Sequence, residues 1–317
     1  KNFYENVGYP ISLARGAYWI GVTYEKLGNK KLSSDFFKEG SKYLTTYYGQ
    51  LSFKKVFPFE DFELNDESEY SEKYQKEFED NPLYKHVILL KELNKTKYSK
   101  DILKHLAELN IKDGSEVLAA KLATEVGRYD YAIQVSKKAS YEKRFYNKYN
   151  YPIITTPRVI NGKNMPAQEI ILAIARQESE FDAKANSRVG AKGMMQLMTY
   201  TAKIVAKQMG VPYRKSKLTS DPEYNVRLGT YYFSSLLNDY GETYPFAIAA
   251  YNAGPKRVKY WRRINGDPKK GSIDFVNWIE LIKFKETRNY VQRVLENASV
   301  YRYMLSGKPV ELDNYFR

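Results

Sequence analysis

Apolar residues recur along most of the chain at the three- and four-residue spacing of helices that bury one face. No stretch alternates apolar and polar positions in the two-residue rhythm of a strand. The spacing predicts helices over 11–29, stopping at Gly28-Asn29, and over 33–49. A second pair is predicted in 115–139, where Gly127 separates two amphipathic runs. Pro152, Pro157, Gly162 and Pro166 crowd into 140–166, and a domain boundary is expected near 150. Beyond it the punctuation predicts helices at 166–180, 199–208, 222–241, 245–252, 255–264, 273–282 and 286–304. Asp221-Pro222 reads as a cap followed by a first-turn proline.

The expected fold class is therefore all-α. The pairs at 11–49 and 115–139 resemble degenerate tetratricopeptide-like hairpins, which points to a superhelical, solenoid-like N-terminal region. Three parts are expected. Residues 1–55 would end the superhelical region, 56–150 would form a helical linker domain, and 151–317 a catalytic domain. The acidic run at 60–80 carries ten Asp/Glu and two Lys and reads as a helix-containing insertion.

Charge and composition narrow the chemistry. The 317 residues carry a net charge of +14, of which +11 falls in 151–317. A basic surface favours polyanionic partners, among them nucleic acid, anionic lipid and acidic polymers such as peptidoglycan. There is no cysteine, so disulfides and thiolate metal sites are excluded. The only histidines, His86 and His105, precede residue 150, which leaves Ser-His-Asp, Cys-His and zinc-hydrolase arrangements without members in the C-terminal part. No apolar run is long enough to span a bilayer. No signal-peptide pattern opens the chain at Lys1, and a mature or truncated form is expected.

Thirty tyrosines offer flat apolar faces with a hydroxyl, suited to half-buried packing and to sugar recognition. The candidate catalyst is a carboxyl. In PAQEIILAIARQESEF (166–181), Ile170, Ile174 and Glu178 are four apart and share one helical face. Glu178 therefore projects from an apolar stripe, near the negative end of its helix. Desolvation and the helix dipole would both raise its pKa and keep it protonated as a general acid. A lone helical Glu is more often a surface or ion-paired residue, so the surrounding sequence decides. Asp182, four residues on, reads as a solvated helix-end residue.

The run ARQESEFDAKANSRVGAKGMMQLM (175–198) resembles the soluble lytic transglycosylases, whose catalytic domain is similar to goose-type lysozyme. AAYNAG at 249–254 and ELIKFKETRNYV at 280–291 resemble two further blocks of that family, in the same order. Thr199 and Lys283 stand where the family usually has proline, and Arg188 where proline is frequent; Thr199 is expected to cap the next helix. The resemblance implies a lysozyme-like α domain over 151–317. It implies Glu178 as the acid/base catalyst, with Ser187, Gln196, Met198, Tyr251, Asn252 and Glu280 along the glycan groove. It implies peptidoglycan strands as partner, no nucleic acid, no cofactor, no metal and a periplasmic location. The implied reaction cleaves the MurNAc-GlcNAc bond with one glutamate and substrate N-acetyl assistance, leaving 1,6-anhydro-MurNAc ends. A lysozyme-type hydrolase and a non-catalytic basic helical-repeat binding protein are the alternatives.

Overall fold

The computed structural model describes residues 2–66, 69–309 and 311–316; residues 67 and 68 of the acidic run lie outside them. Among the described residues the fold is mainly helical, as the spacing predicts, with two short antiparallel pairs beside the helices. These pairs join Val159–Ile160 to Lys163–Asn164 and Ala191–Lys192 to Leu197–Met198. Among the described residues no helix is long and apolar enough to cross a membrane.

The N-terminal hairpin is formed by Pro10–Lys26 and Lys30–Ser41, followed by Tyr47–Val56. Sequence spacing predicted one helix over 33–49. The structure instead breaks it after Ser41 and starts a new helix at Thr46, whose hydroxyl accepts from the Gly49 amide at 3.1 Å. That capping bond supplies one of the partners a helix start lacks. Asn29 caps the second helix in the same way, through the Leu32 amide.

A second group of helices occupies Glu72–Asp80, Pro82–Glu92, Lys100–Glu108, Ser115–Glu125 and Tyr129–Tyr141. Leu103, Leu106, Val117, Leu118 and Leu122 bury themselves there with Phe78 and Val87, forming a core of their own.

The hairpin behaves differently. Tyr18, Phe37, Tyr47, Tyr48 and Leu51 belong to one continuous core with Ile170–Ala175, Phe246–Ala250, Trp278 and the inner face of the long helix Lys285–Ser306. A third cluster, around Leu197, Val205, Leu218 and Leu228, packs beneath the short strands of 191–198. The helix bearing Glu178, Gln168–Ser179, lies in the middle of the large core; six consecutive residues, Ile170–Ala175, are essentially inaccessible.

Candidate active site

The Gln168–Ser179 helix ends where Glu180 takes a left-handed conformation, φ 52°, followed by Phe181 at φ 65°. The chain therefore leaves the helix immediately after Glu178 and Ser179. Phe181 is buried in the large core and anchors this exit. Ser179 donates to the Met194 carbonyl at 2.7 Å and ties the helix end to the following turn.

That turn is held by a residue the sequence did not single out. Asn225 is fully buried on the helix Pro222–Asp239. Its Oδ1 accepts from the Met195 amide at 2.8 Å, and its Nδ2 donates to the carbonyls of Lys192 and Leu218 at 2.9 and 3.0 Å. Gly193 sits against it at φ +74°. A Cβ there would meet the Leu218 carbonyl oxygen at 2.0 Å, so only glycine fits.

Glu178 lies at the bottom of this construction, half-buried and walled by protein. The Tyr290 hydroxyl donates to its Oε1 at 2.6 Å. Burial pushes the Glu178 carboxyl up from its ordinary 4.5 to about 7; Tyr290 opposes the rise, and the negative charge of Glu286 adds to it. Desolvation is thus the main cause expected from the sequence. Tyr290 keeps its proton, because burial and the adjacent Glu178 raise its own pKa well above the usual value.

The other expected site residues gather around the same turn, mostly with bonds of their own. Ser187 accepts from the Ala191 amide at 2.9 Å, closing the loop before the short strand pair. Gln196, at φ 46°, donates from its side chain to the Gly193 carbonyl at 2.8 Å. Met198 is 43% exposed beside it. Tyr251 packs its ring against Tyr232 and Phe233 and donates to the Met195 carbonyl at 2.8 Å. Asn252 accepts from Thr287 at 2.7 Å, joining the second sequence block to the third. Thr199 is the first residue of its helix, with Met198 at the cap position and no side-chain cap, so the capping expected of it does not occur.

Glu280 is held from farther away. Arg15 pairs with its Oε2 at 2.5 Å, and Gln292 donates to Oε1 at 2.7 Å. The Tyr48 hydroxyl donates to the same oxygen. The remaining acids near Glu178 in sequence have local partners: Glu180 pairs with Lys137, and Asp182 accepts from the Lys184 amide at 2.8 Å. Tyr290 stood inside the third sequence block and was legible there; Asn225 stood in no block and carried no signal.

The half-buried Glu178 carboxyl thus lies beside the turn built from the first sequence block. The Transglycosylase SLT domain family matches residues 157–273. This part of the chain is similar to the soluble lytic transglycosylases. The soluble lytic transglycosylase helical domain matches 282–309, which spans the whole of the final long helix. The soluble lytic murein transglycosylase of Escherichia coli K12 is 42% identical over 153 residues, 48% of this chain and 23% of that protein. Its Salmonella typhimurium counterpart is 40% identical over 168 residues, 53% of this chain and 25% of that protein. The chain thus spans about a quarter of the length of these curated relatives.

The crystal structure of the 70 kDa soluble lytic transglycosylase from Escherichia coli superposes with a TM-score of 0.78 at 27% identity, over 93% of this chain and 47% of that one. An inactive Glu-to-Gln mutant of the Pseudomonas aeruginosa lytic transglycosylase superposes at 0.76 over 94% of this chain and 47% of that one, also at 27% identity. The fold class expected from the sequence, helical region plus lysozyme-like domain, is the fold observed.

Proposed function

We propose that this chain carries the catalytic unit of a periplasmic peptidoglycan lytic transglycosylase, with Glu178 as its one acid/base. The observation that carries the reading is the Glu178 carboxyl itself, walled by protein and bonded to Tyr290, with burial pushing its pKa up to about 7. A general acid is most useful when its pKa lies near the working pH.

Glu178 gives its proton to the oxygen linking N-acetylmuramic acid to N-acetylglucosamine, and the C1–O bond breaks. The substrate's N-acetyl oxygen supports the developing positive charge at C1. The Glu178 carboxylate then takes the proton from the sugar's C6 hydroxyl, whose oxygen bonds to C1. The product is a 1,6-anhydromuramoyl end, and Glu178 finishes protonated again. Two-carboxylate glycosidases hold a second acid at a set distance as base or nucleophile. Here Glu180 and Asp182 are occupied by Lys137 and the Lys184 amide, which leaves neither free to act as that second acid. Ser187, Gln196, Met198, Tyr251, Asn252 and Glu280 are proposed to line the glycan groove. The division at about 55 and 150 accompanies this reading, with 151–317 as the catalytic domain.

The test is digestion of purified sacculi followed by mass spectrometry. The wild-type chain should release muropeptides one water lighter than hydrolysed ones. Glu178→Gln should keep the fold and lower turnover at least about a hundredfold, the usual scale of one general acid. Products at the hydrolysed mass would make the protein a lysozyme-type hydrolase instead; undiminished turnover by Glu178→Gln would end the proposal.

A further inference from the structure

Glu280 has an unusual set of partners. Arg15 comes from the helix Pro10–Lys26 and Tyr48 from Tyr47–Val56, both in the N-terminal hairpin. Gln292 comes from the long helix two residues beyond Tyr290. The three meet on one carboxylate that is 17% exposed. Gln292 also donates to the Tyr48 hydroxyl at 3.1 Å, and the Arg15 guanidinium lies 5.8 Å from the centre of the Tyr48 ring. Tyr48 is buried against Tyr18 and Trp19, with rings 5.2 and 6.2 Å away. Burial and the Glu280 charge raise the Tyr48 pKa, so it stays a donor. This is a closed arrangement of three donors and one acceptor, built across the junction between hairpin and C-terminal domain.

An ionised carboxylate offers about four acceptor sites. Arg15, Tyr48 and Gln292 take three, which leaves one. We infer that Arg15 and Tyr48 are positioning residues, fixing Glu280 so that its one remaining acceptor site meets an N–H or O–H of the glycan. The inference rests on the reading of Glu280 as a groove residue. It makes the hairpin part of the substrate-binding machinery, contributing through Glu280 with no sugar contact of its own. The matching donor on a glycan strand is an acetamido N–H or a ring hydroxyl.

A carboxylate released from Arg15 and Tyr48 can still be reached by substrate, but it must be ordered on binding, a cost that falls on affinity. The experiment is steady-state kinetics on soluble glycan strands for Arg15→Ala, Arg15→Lys, Tyr48→Phe and Glu280→Gln, with a thermal melt of each. Arg15→Ala should raise KM roughly tenfold while kcat changes by less than about threefold. Tyr48→Phe should raise KM less, and Arg15→Lys should recover most of the loss, because a lysine restores the charge. A stable Arg15→Ala protein with wild-type KM overturns the inference. So does a fall in activity that tracks the melting temperature across the series, because a merely structural contact would give that. Glu280→Gln separates the two levels. If it leaves KM unchanged, the groove reading of Glu280 fails. If it raises KM and Arg15→Ala does not, the positioning role alone fails.

Discussion

Two helical regions precede the site, and they relate to it in different ways. The hairpin over 10–56 shares its apolar core with the Glu178 helix and sends polar groups deep into the junction. Glu296, buried on the long helix, accepts from the Tyr47 amide and pairs with Arg293 at 2.6 Å, and Gln50 donates to the Glu296 carbonyl at 3.1 Å. Behind it Arg176 stacks 4.6 Å from the Tyr151 ring and donates to Asn150 at 2.7 Å. The helices of 72–141 pack mainly on one another. They reach the site helix through Ile133, through an edge contact of Tyr129 with Phe181, and through the surface pair Lys137–Glu180. Closeness in sequence to residue 151 therefore misleads. The hairpin farther away in the chain is the part fused to the helices around Glu178, because buried polar groups tolerate no slippage between the elements that satisfy them.

The junction between hairpin and long helix is most sensitive at Glu296. Replacing it by Ala strands Arg293 and the Tyr47 amide in the junction. The expected cost is about 3–5 kcal/mol, the scale for removing one partner of a buried pair. Activity should fall with stability, as read by urea melts beside sacculus digestion. Leu106→Ala opens a cavity in the second region instead, at about 2–4 kcal/mol. It should leave the pH dependence of the reaction in place, since nothing around Leu106 faces Glu178; a moved pH profile would show the two regions to be coupled after all.

Smaller effects sharpen the picture at the site. A carboxyl raised above its unfolded value binds its proton more tightly when folded, so stability is fullest below the unfolded pKa of about 4.5 and is lost as pH rises through about 7. Glu178→Gln should flatten that decline. The gain at pH 8 is bounded by the shift at about 3 kcal/mol and is less where water enters the groove. The alkaline limb of kcat/KM reports the same proton. Tyr290→Phe removes the bond that favours the carboxylate and should move this limb upward, whereas Glu286→Gln removes a negative charge and should move it downward, by less. Smallest of all, Lys137→Ala should cost under about 1 kcal/mol, because its pair with Glu180 is partly open to water.

The sequence made the helices and the raised Glu178 carboxyl legible for different reasons. Ile170, Ile174 and Glu178 at four-residue spacing placed the carboxyl on a buried face, and burial is what shifts it. The three blocks placed Ser187, Gln196, Tyr251 and Asn252 near one another; the first three bond within the 187–198 turn, and Asn252 bonds to Thr287 of the third block. Their local hydrogen bonds were not legible, because a motif fixes position and leaves partners open. Asn225, Arg15 and Tyr48 escaped for a related reason. Each acts through a partner at least 30 positions away, and spacing rules reach only a few residues along the chain. The break after Ser41 was hidden by a run of helix-compatible residues that only the Thr46 cap and tertiary packing divide.

The most direct measurement is the ionisation of Glu178 itself, followed by carbon-13 NMR of side-chain carboxyls across a pH titration, with Glu178→Gln to assign the signal. A midpoint near 7 is the result expected of an enclosed carboxyl poised as a general acid. A midpoint near 4.5 would mean that water reaches the group freely and that the proton the proposed cleavage requires is absent at neutral pH.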